Sequence, residues 1–231
     1  MSTDRTWHAL ESDPDLWRIY MEKLGVDMNS LEFVEVYSLE EEFPPEESIF
    51  CFIFLYPDSG SSSNTSNFNL NLIQETNDEN IWKIKQVEEL DSCCCLIALL
   101  HCIGNNLDKI KWNEDSALEK FFTKTKTMNA DERAMVLLND ENIHQAHEEI
   151  AREGQTEMLE SGRVGHHYIA YILSQHNRIY EMNGSTRGPQ AKCLGESTKK
   201  TFFSVVSQEI KRRVNELNGD IRFNLIGLSQ K

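Results

Sequence analysis

Apolar runs and the alternation of apolar with polar positions predict the strands of this chain. Ile49–Tyr56 (IFCFIFLY) is an unbroken apolar run of eight residues with β-branched and aromatic side chains, which suits a strand buried on both faces. Phe33–Tyr37 (FVEVY) alternates as a half-buried strand does. The other predicted strands are Val164–Leu173, Arg178–Met182 and Arg222–Leu228.

Capping signals and helical spacing predict the helices. Asp13 before Pro14 indicates the start of a helix that ends at Gly25, and Asn129 with Glu132 three residues on forms a capping-box pattern. The other predicted helices are Leu96–Ile103, Ser116–Thr123, Asn142–Arg152 and Ser197–Leu217. Because helices and strands are mixed and a hairpin comes late, we predict an α+β fold with a central, mostly antiparallel sheet flanked by helices.

Two segments are predicted to be loops, and neither divides the chain into domains. Asp58–Asn67 (DSGSSSNTSN) is interpreted as a surface loop, because neither side of it is a complete domain, and Glu153–Arg163 contains two glycines. There is no internal repeat, and we expect a single domain over residues 1–231.

Charge and hydropathy narrow the classes of partner. A formal charge of −15 repels nucleic acid and anionic lipid and attracts a basic partner. The N-terminal stretch is polar, and no apolar run approaches the ~20 residues of a membrane span. We therefore expect a protein of the cytosol or nucleus, with the cytoplasm as the predicted location, and no nucleic-acid or membrane partner.

The cysteines include a triplet, Cys93, Cys94 and Cys95, at the head of a strongly apolar segment. A disulfide framework would spread its cysteines out, so reduced thiols are expected. With Asp91 or Ser92 as N-cap, the triplet would occupy the first turn of a helix, where backbone N–H groups lower a thiol pKa. The alternative is three small buried hydrophobes. Both interpretations stay open at this point.

A metal or a thiol–imidazole pair within this segment is disfavoured by geometry. Adjacent cysteines diverge and do not match zinc-ligand spacing, and we expect neither metal nor cofactor. His101 lies seven residues after Cys94, ~10 Å away along a helix, too far for a hydrogen bond. A core histidine is the expected role of His101.

A second histidine lies in the predicted hairpin. His166 and His167 point to opposite faces of a strand, so only one of them can serve a site. A turn near residue 175 or 176 pairs positions that sum to about 351, which brings Asn183 close to His167. A side-chain oxygen of Asn183 would fix the imidazole tautomer, and the order Cys, His, Asn fits a cysteine hydrolase.

Several segments together resemble one family, the ubiquitin C-terminal hydrolases (peptidase family C12), which are small papain-like deubiquitinases. The segments that carry the resemblance, in the family's order, are RTWHALESDPDLWRIYMEKLGV, CCLIALLHCIGNN, MNADERAMVLL, HEEIAREGQTE, VGHHYIA, IYEMNG and IRFNLIGLS. The resemblance covers essentially the whole chain. It implies a papain-like fold with a knotted backbone, and ubiquitin as the partner of a monomer.

The resemblance also implies site residues. Alignment on His101 and the following Asn-Asn pair puts the nucleophile at Cys94, with Cys93 as the alternative if the register slips by one. His167 becomes the general base and Asn183 stands at the third position. Residues 153–166 become the loop that crosses the active site.

Three positions depart from the family pattern. Asn183 replaces an Asp, so it can orient the imidazole but not stabilise imidazolium by charge. The family's oxyanion glutamine lies six residues before the nucleophile, where this chain has Glu88; Gln86 is the candidate donor if an insertion separates it from Cys94. Cys95 replaces a glycine and adds bulk beside the nucleophile.

The sequence thus predicts a thiol-dependent deubiquitinase that cleaves at ubiquitin's C-terminal glycine, releasing small adducts or short extensions. Its predicted site is Cys94, His167, Asn183 and Gln86. The alternative is a catalytically impaired protein that binds ubiquitin without cleaving it.

Overall fold

The computed structural model describes residues 5–40, 48–57, 81–154, 165–185, 190–217 and 222–231. The predicted loop at 58–67 and most of the predicted loop at 153–163 lie outside these residues. The helices are α1 Pro14–Lys23, α2 Cys94–Gly104, α3 Ala117–Thr125, α4 Ala130–Leu138, α5 Glu141–Glu153 and α6 Lys199–Glu216. The strands are β1 Leu31–Glu35, β2 Ile49–Pro57, β3 His166–Leu173, β4 Arg178–Met182, β5 Ala191–Glu196 and β6 Asn224–Gln230.

The predicted helix starts at Asp13 and Asn129 are confirmed by their caps. Asp13 Oδ1 accepts from the backbone N–H groups of Asp15 and Leu16 at 2.8 and 3.1 Å, with Pro14 in the first turn. Asn129 and Glu132 bond each other's backbone N–H groups, which completes the predicted capping box of α4. These short-range signals are reliable because both partners lie within one turn of chain.

The strands form one sheet in the order β1-β6-β2-β3-β4-β5, and every neighbouring pair is antiparallel. The apolar run Ile49–Tyr56 forms β2 in the middle of the sheet, between β6 and β3, as its composition predicts. Alternate side chains of β2 enter two separate cores, with Cys51 and Ile53 in one and Phe52 and Phe54 in the other.

Helices cover both faces of the sheet, so the predicted α+β class is confirmed. On one face α2 packs against β2 and β3, and all residues from Cys94 to Ile103 are buried. On the other face Phe202, Val206 and Ile210 of α6 form the second core with the sheet. This arrangement places Cys94, at the N-terminus of α2, beside the backbone of Tyr168 near the start of β3.

The strand β5 was missed from the sequence. Ala191–Glu196 has no clear alternation, it lies at the edge of the sheet, and its Gly195 has φ +127° where the register with β4 shifts. Edge strands and bulges carry weak patterns, because only one neighbour and one packed face select their residues.

Candidate active site

The segment before α2 differs from the expected simple helix start. Glu88–Cys93 forms a 3₁₀ helix with a kink at Leu90 (φ −107°, ψ 20°), and α2 begins at Cys94. The N-cap is Cys93, which makes no side-chain capping bond. The prediction that Asp91 or Ser92 caps the helix is therefore wrong, and only Cys94 and Cys95 of the triplet belong to its first turn.

All three cysteines are buried, and the contacts of Cys94 place it next to β3. Their exposed fractions are 0% for Cys93, 4% for Cys94 and 1% for Cys95. The sulfur of Cys94 lies by the backbone N–H of Tyr168, and the N–H groups of Cys94 and Cys95 also point to it. Cys94 is thus the thiol that adjoins the start of β3, where His167 immediately precedes Tyr168.

Burial governs the ionisation of the triplet. Desolvation raises the pKa of Cys94 to about 11, although the N–H groups of Tyr168, Cys95 and Cys94 itself favour the thiolate and act in the opposite direction. Desolvation also raises the pKa of Cys93 and of Cys95 well above the ordinary thiol value. The helix N-terminus therefore acts in the predicted direction at Cys94, but the predicted net lowering of its pKa is wrong for the resting protein.

The structure brings His167 and Asn183 together. His167 Nε2 lies 2.9 Å from Asn183 Oδ1, and this oxygen also accepts from the backbone N–H of Ser185 at 3.0 Å. Only the amide oxygen can accept from Ser185, so the amide orientation is set and Nε2 of His167 must be the protonated nitrogen. Nδ1 then carries the lone pair of the ring, which is the form a general base requires.

The register of the hairpin explains this contact. Ala170 pairs with Met182 and Leu173 with Ile179, so paired positions sum to 352 rather than the predicted 351. Asn183 lies one residue beyond the end of β4, diagonally across from His167. The predicted proximity is confirmed, with the register one residue away from the prediction.

Gln86, and not Glu88, lies inside the site. Gln86 is 8% exposed and its backbone N–H donates to Gly184 O at 2.8 Å, next to Asn183, whereas Glu88 is exposed on the 3₁₀ helix. The 3₁₀ helix accommodates the longer spacing between Gln86 and Cys94. The expected repulsion between a Glu88 carboxylate and an oxyanion is therefore not supported.

The Gln86 side chain is held by this 3₁₀ helix. Its Nε2 donates to Leu90 O at 3.1 Å and to Asp91 O at 2.6 Å. A primary amide has two N–H groups, so both are used by backbone carbonyls. In this conformation the Gln86 amide has no N–H left for a third acceptor.

Gly184 is a residue of the site that sequence reasoning did not single out. A Cβ there would lie 2.5 Å from Ile97 Cγ2 of α2 and 3.2 Å from Gln86 Cβ. Only glycine allows the turn after Asn183 to approach α2 this closely. The signal in the sequence was the glycine that directly follows Asn183. The bulk of Cys95 lies in the core, where its side chain is 1% exposed.

His101 is a core histidine, as predicted. It is fully buried, its Nε2 accepts from the Ile84 backbone N–H at 3.2 Å, and desolvation lowers its pKa to about 3. Within the described parts of the chain, no group of three or more His, Cys, Asp or Glu side chains is arranged to hold a metal ion. No helix among the described residues is long and apolar enough to cross a membrane.

A thiol at the start of a buried helix, beside a strand that carries an imidazole held by an amide, is the arrangement expected of a papain-like cysteine peptidase. The model of the family described as ubiquitin carboxyl-terminal hydrolase, family 1, matches residues 7–215. The chain belongs to this family.

Relatives from a plant and from human align over 95% or more of the chain. Ubiquitin carboxyl-terminal hydrolase 3 of Arabidopsis thaliana is 29% identical over 233 residues, covering 100% of this chain and 97% of the plant protein. The human isozyme L1 is 26% identical, covering 95% of this chain and 96% of its own. The catalytic domain of Trichinella spiralis UCH37, crystallised bound to ubiquitin vinyl methyl ester, has 19% identity and a TM-score of 0.76, covering 100% and 99%. This likeness shows the fold, and the knotted backbone stays a prediction.

Proposed function

We propose that the protein is a thiol-dependent deubiquitinase that cleaves bonds at the C-terminal glycine of ubiquitin, releasing small adducts or short extensions. The observation that carries the proposal is the position of the Cys94 sulfur at the N–H of Tyr168, the residue that follows His167. Membership of the family over residues 7–215 supplies the substrate class.

The proposed reaction begins with proton transfer from Cys94 to Nδ1 of His167. The Cys94 sulfur then attacks the glycine carbonyl, and the negative charge on its oxygen is stabilised by N–H groups at the start of α2. The imidazolium of His167 protonates the departing amine or thiol as the bond to glycine breaks. Water, deprotonated by His167, then hydrolyses the thioester and regenerates the thiol.

Asn183 and Gln86 have supporting roles in this proposal. Asn183 holds the His167 tautomer through the 2.9 Å bond but contributes no charge to imidazolium. Gln86 is the proposed side-chain donor to the oxyanion. It can reach that oxygen only after its Nε2 has left the carbonyls of Leu90 and Asp91, so the proposal requires the 3₁₀ helix to rearrange when substrate binds.

The proposal extends to the charge of the partner, the oligomeric state and the location of the protein. Ubiquitin's basic tail suits a partner with a formal charge of −15. We further propose that residues 1–231 act as one monomeric catalytic domain in the cytoplasm.

A second candidate function, ubiquitin binding without cleavage, has its own support. The pKa of Cys94 is raised to about 11 by burial, and both N–H groups of Gln86 are engaged within the protein. A protein selected only for binding would tolerate both features.

Hydrolysis of ubiquitin that carries a fluorogenic C-terminal amide separates the two candidates. We expect turnover by the unaltered protein and loss of turnover in Cys94→Ala and His167→Ala, with ubiquitin affinity retained in both variants. Binding of ubiquitin without turnover in the unaltered protein would contradict the hydrolase proposal and support the alternative. Turnover that survives Cys94→Ala would place the nucleophile elsewhere.

A further inference from the structure

His167 has an aromatic neighbour on the adjacent strand. Tyr56 of β2 is the direct register partner of His167, and the two rings meet edge to face, with centroids 5.8 Å apart and an interplanar angle of 89°. Asn183 holds the imidazole through one nitrogen, while Tyr56 contacts the ring as a whole. The position of Tyr56 therefore influences where the imidazole lies.

Tyr56 is in turn covered by an arginine from α6. The guanidinium of Arg213 lies 4.9 Å from the centroid of the Tyr56 ring, within the range of a cation–π contact. The same guanidinium donates through Nη2 to Glu181 Oε1 at 2.7 Å. Arg213 thus connects β2, through Tyr56, with β4, through Glu181.

Glu181 lies on the strand that leads to Asn183. The two residues are two positions apart, so their side chains project from the same face of the sheet. Arg213 consequently touches one neighbour of each residue in the His167–Asn183 pair: Tyr56 beside His167, and Glu181 before Asn183.

The ion pair between Glu181 and Arg213 lies where it contributes little to the stability of the fold. The side chains of Glu181 and Arg213 are 8% and 17% exposed, and within the described residues Glu181 Oε2 and Arg213 Nε have no hydrogen-bond partner. Taking two charges out of water offsets most of their attraction unless every polar atom is bonded. Burial disfavours the charged guanidinium, but Glu181, Tyr171 and Tyr56 together outweigh this effect, so the pKa of Arg213 is raised.

We propose that Arg213 is a positioning residue for the general base, acting through Tyr56 and Glu181 to hold His167 against Asn183. The expected effect of Arg213 on catalysis rests on the function proposed above. It assigns a role in catalysis to a side chain on α6, a helix that contributes none of the proposed catalytic residues. We call the contacts of Arg213 with Tyr56 and Glu181 the Arg213 clamp. Removing this clamp should let the His167 imidazole move while leaving the ubiquitin-binding surface unchanged.

Arg213→Met tests the clamp, since methionine keeps most of the side-chain length but lacks the positive charge and the forked N–H donors of the guanidinium. We expect kcat for the ubiquitin amide to fall about tenfold with KM changed less than about twofold, because misplacement of a catalytic group by a fraction of an ångström lowers the rate and not the affinity. Arg213→Lys should recover part of the loss, because an ammonium can still pair with Glu181 and contact Tyr56 but lacks the fork.

Arg212→Met is the matched control. Arg212 precedes Arg213 on α6 and pairs with Glu209 at 2.6 Å, within the same helix. Its loss should leave kcat within about twofold of the unaltered protein, although the helix loses the ion pairs of Arg212 with Glu209 and Glu216. Equal losses of kcat in Arg212→Met and Arg213→Met would overturn the proposal, because the effect would then belong to the helix in general.

A second measurement does not depend on activity. Imidazole ¹⁵N spectra of the free protein report the His167 tautomer, with its signals assigned by their absence in His167→Gln. We expect the Nε2-protonated form in the unaltered protein and in Arg212→Met, and a mixture of tautomers in Arg213→Met. Unchanged His167 signals in Arg213→Met would overturn the clamp. Absence of hydrolysis in the unaltered protein would contradict the proposed function alone, and these spectra would still decide the clamp.

Discussion

The candidate site has two halves, the His167 imidazole and the Cys94 thiol. They differ in how closely the resting protein holds each group in the state that the proposed reaction needs. The imidazole of His167 is partly exposed and already oriented, through its 2.9 Å bond to Asn183 and the adjacent ring of Tyr56. Cys94 is 4% exposed, and burial raises the pKa of its thiol to about 11, so the thiol is neutral at physiological pH. The imidazole of the proposed base is thus already oriented, whereas the thiol of the proposed nucleophile is not ionised.

This difference follows from where each half lies in the fold. Cys94 begins a helix that is buried on all sides, and three backbone N–H groups directed at its sulfur do not offset the loss of water. His167 lies at the open start of β3, where burial is weaker. The thiolate therefore needs a nearby positive charge, and protonated His167 is the proposed source.

Apart from removal of Cys94 or His167 itself, the largest effect is expected from removing the support of the imidazole. Asn183→Ala deletes the oxygen that accepts from both His167 and the Ser185 backbone N–H. We expect kcat for the ubiquitin amide to fall about 100-fold, because the ring loses its preferred tautomer.

Asn183→Asp is the matched variant, since a carboxylate can accept from the same two donors. It adds a negative charge that stabilises imidazolium, and it should leave kcat at or above that of the unaltered protein. If Asn183→Ala were as active as the unaltered protein, Asn183 would not be what orients the His167 imidazole for the reaction.

Gln86→Ala is expected to have a smaller effect. Loss of an oxyanion donor costs about 10²–10³ in rate. Gln86 must first break two hydrogen bonds, to Leu90 and Asp91, each worth about 1 kcal/mol. We therefore expect a fall of about tenfold in kcat.

Glu88→Gln is the control for the charge of the 3₁₀ helix. Because Glu88 is exposed, kcat of this variant should equal that of the unaltered protein. A loss in Gln86→Ala as large as about 300-fold would mean that the donor is already directed at the substrate. That result would contradict the conformation seen here.

The smallest effect concerns stability in alkali. The folded state favours the neutral Cys94 thiol, whose pKa rises from 9.0 to about 11, so this stabilisation is complete below pH 9 and is lost as pH rises towards 11. Between about pH 8 and pH 10.5, Cys94 should lower the free energy of unfolding by about 2 kcal/mol.

Urea unfolding at the two pH values measures this change. Cys94→Ala should show a smaller fall than the unaltered protein, with part of the fall remaining because burial also raises the pKa of Cys93 and Cys95. An identical fall in both proteins would mean that Cys94 is not desolvated in the folded state.

The parts of the fold that the sequence predicts are those whose causes are local. The caps at Asp13 and Asn129 are confirmed because each cap bonds backbone N–H groups within the next turn, and β2 is confirmed because eight apolar residues need two covered faces. The edge strand β5 has neither kind of signal.

The site is less predictable because its properties arise from distant contacts. The position of Gln86 depends on a 3₁₀ helix that absorbs extra residues, and spacing alone suggested Glu88. The net pKa shift of Cys94 depends on how completely the sheet and helices cover it, which no local pattern reveals. Arg213 reaches Tyr56 and Glu181 across the sheet, from a helix whose pattern indicates only packing.

Covalent labelling with ubiquitin vinyl methyl ester, mapped by fragmentation to single residues, tests the central assignment most directly. Cys93→Ala, Cys94→Ala and Cys95→Ala would be labelled in parallel with the unaltered protein. We expect an adduct on Cys94 that disappears only in Cys94→Ala. An adduct on Cys93 or Cys95, or no adduct while ubiquitin remains bound, would contradict this assignment.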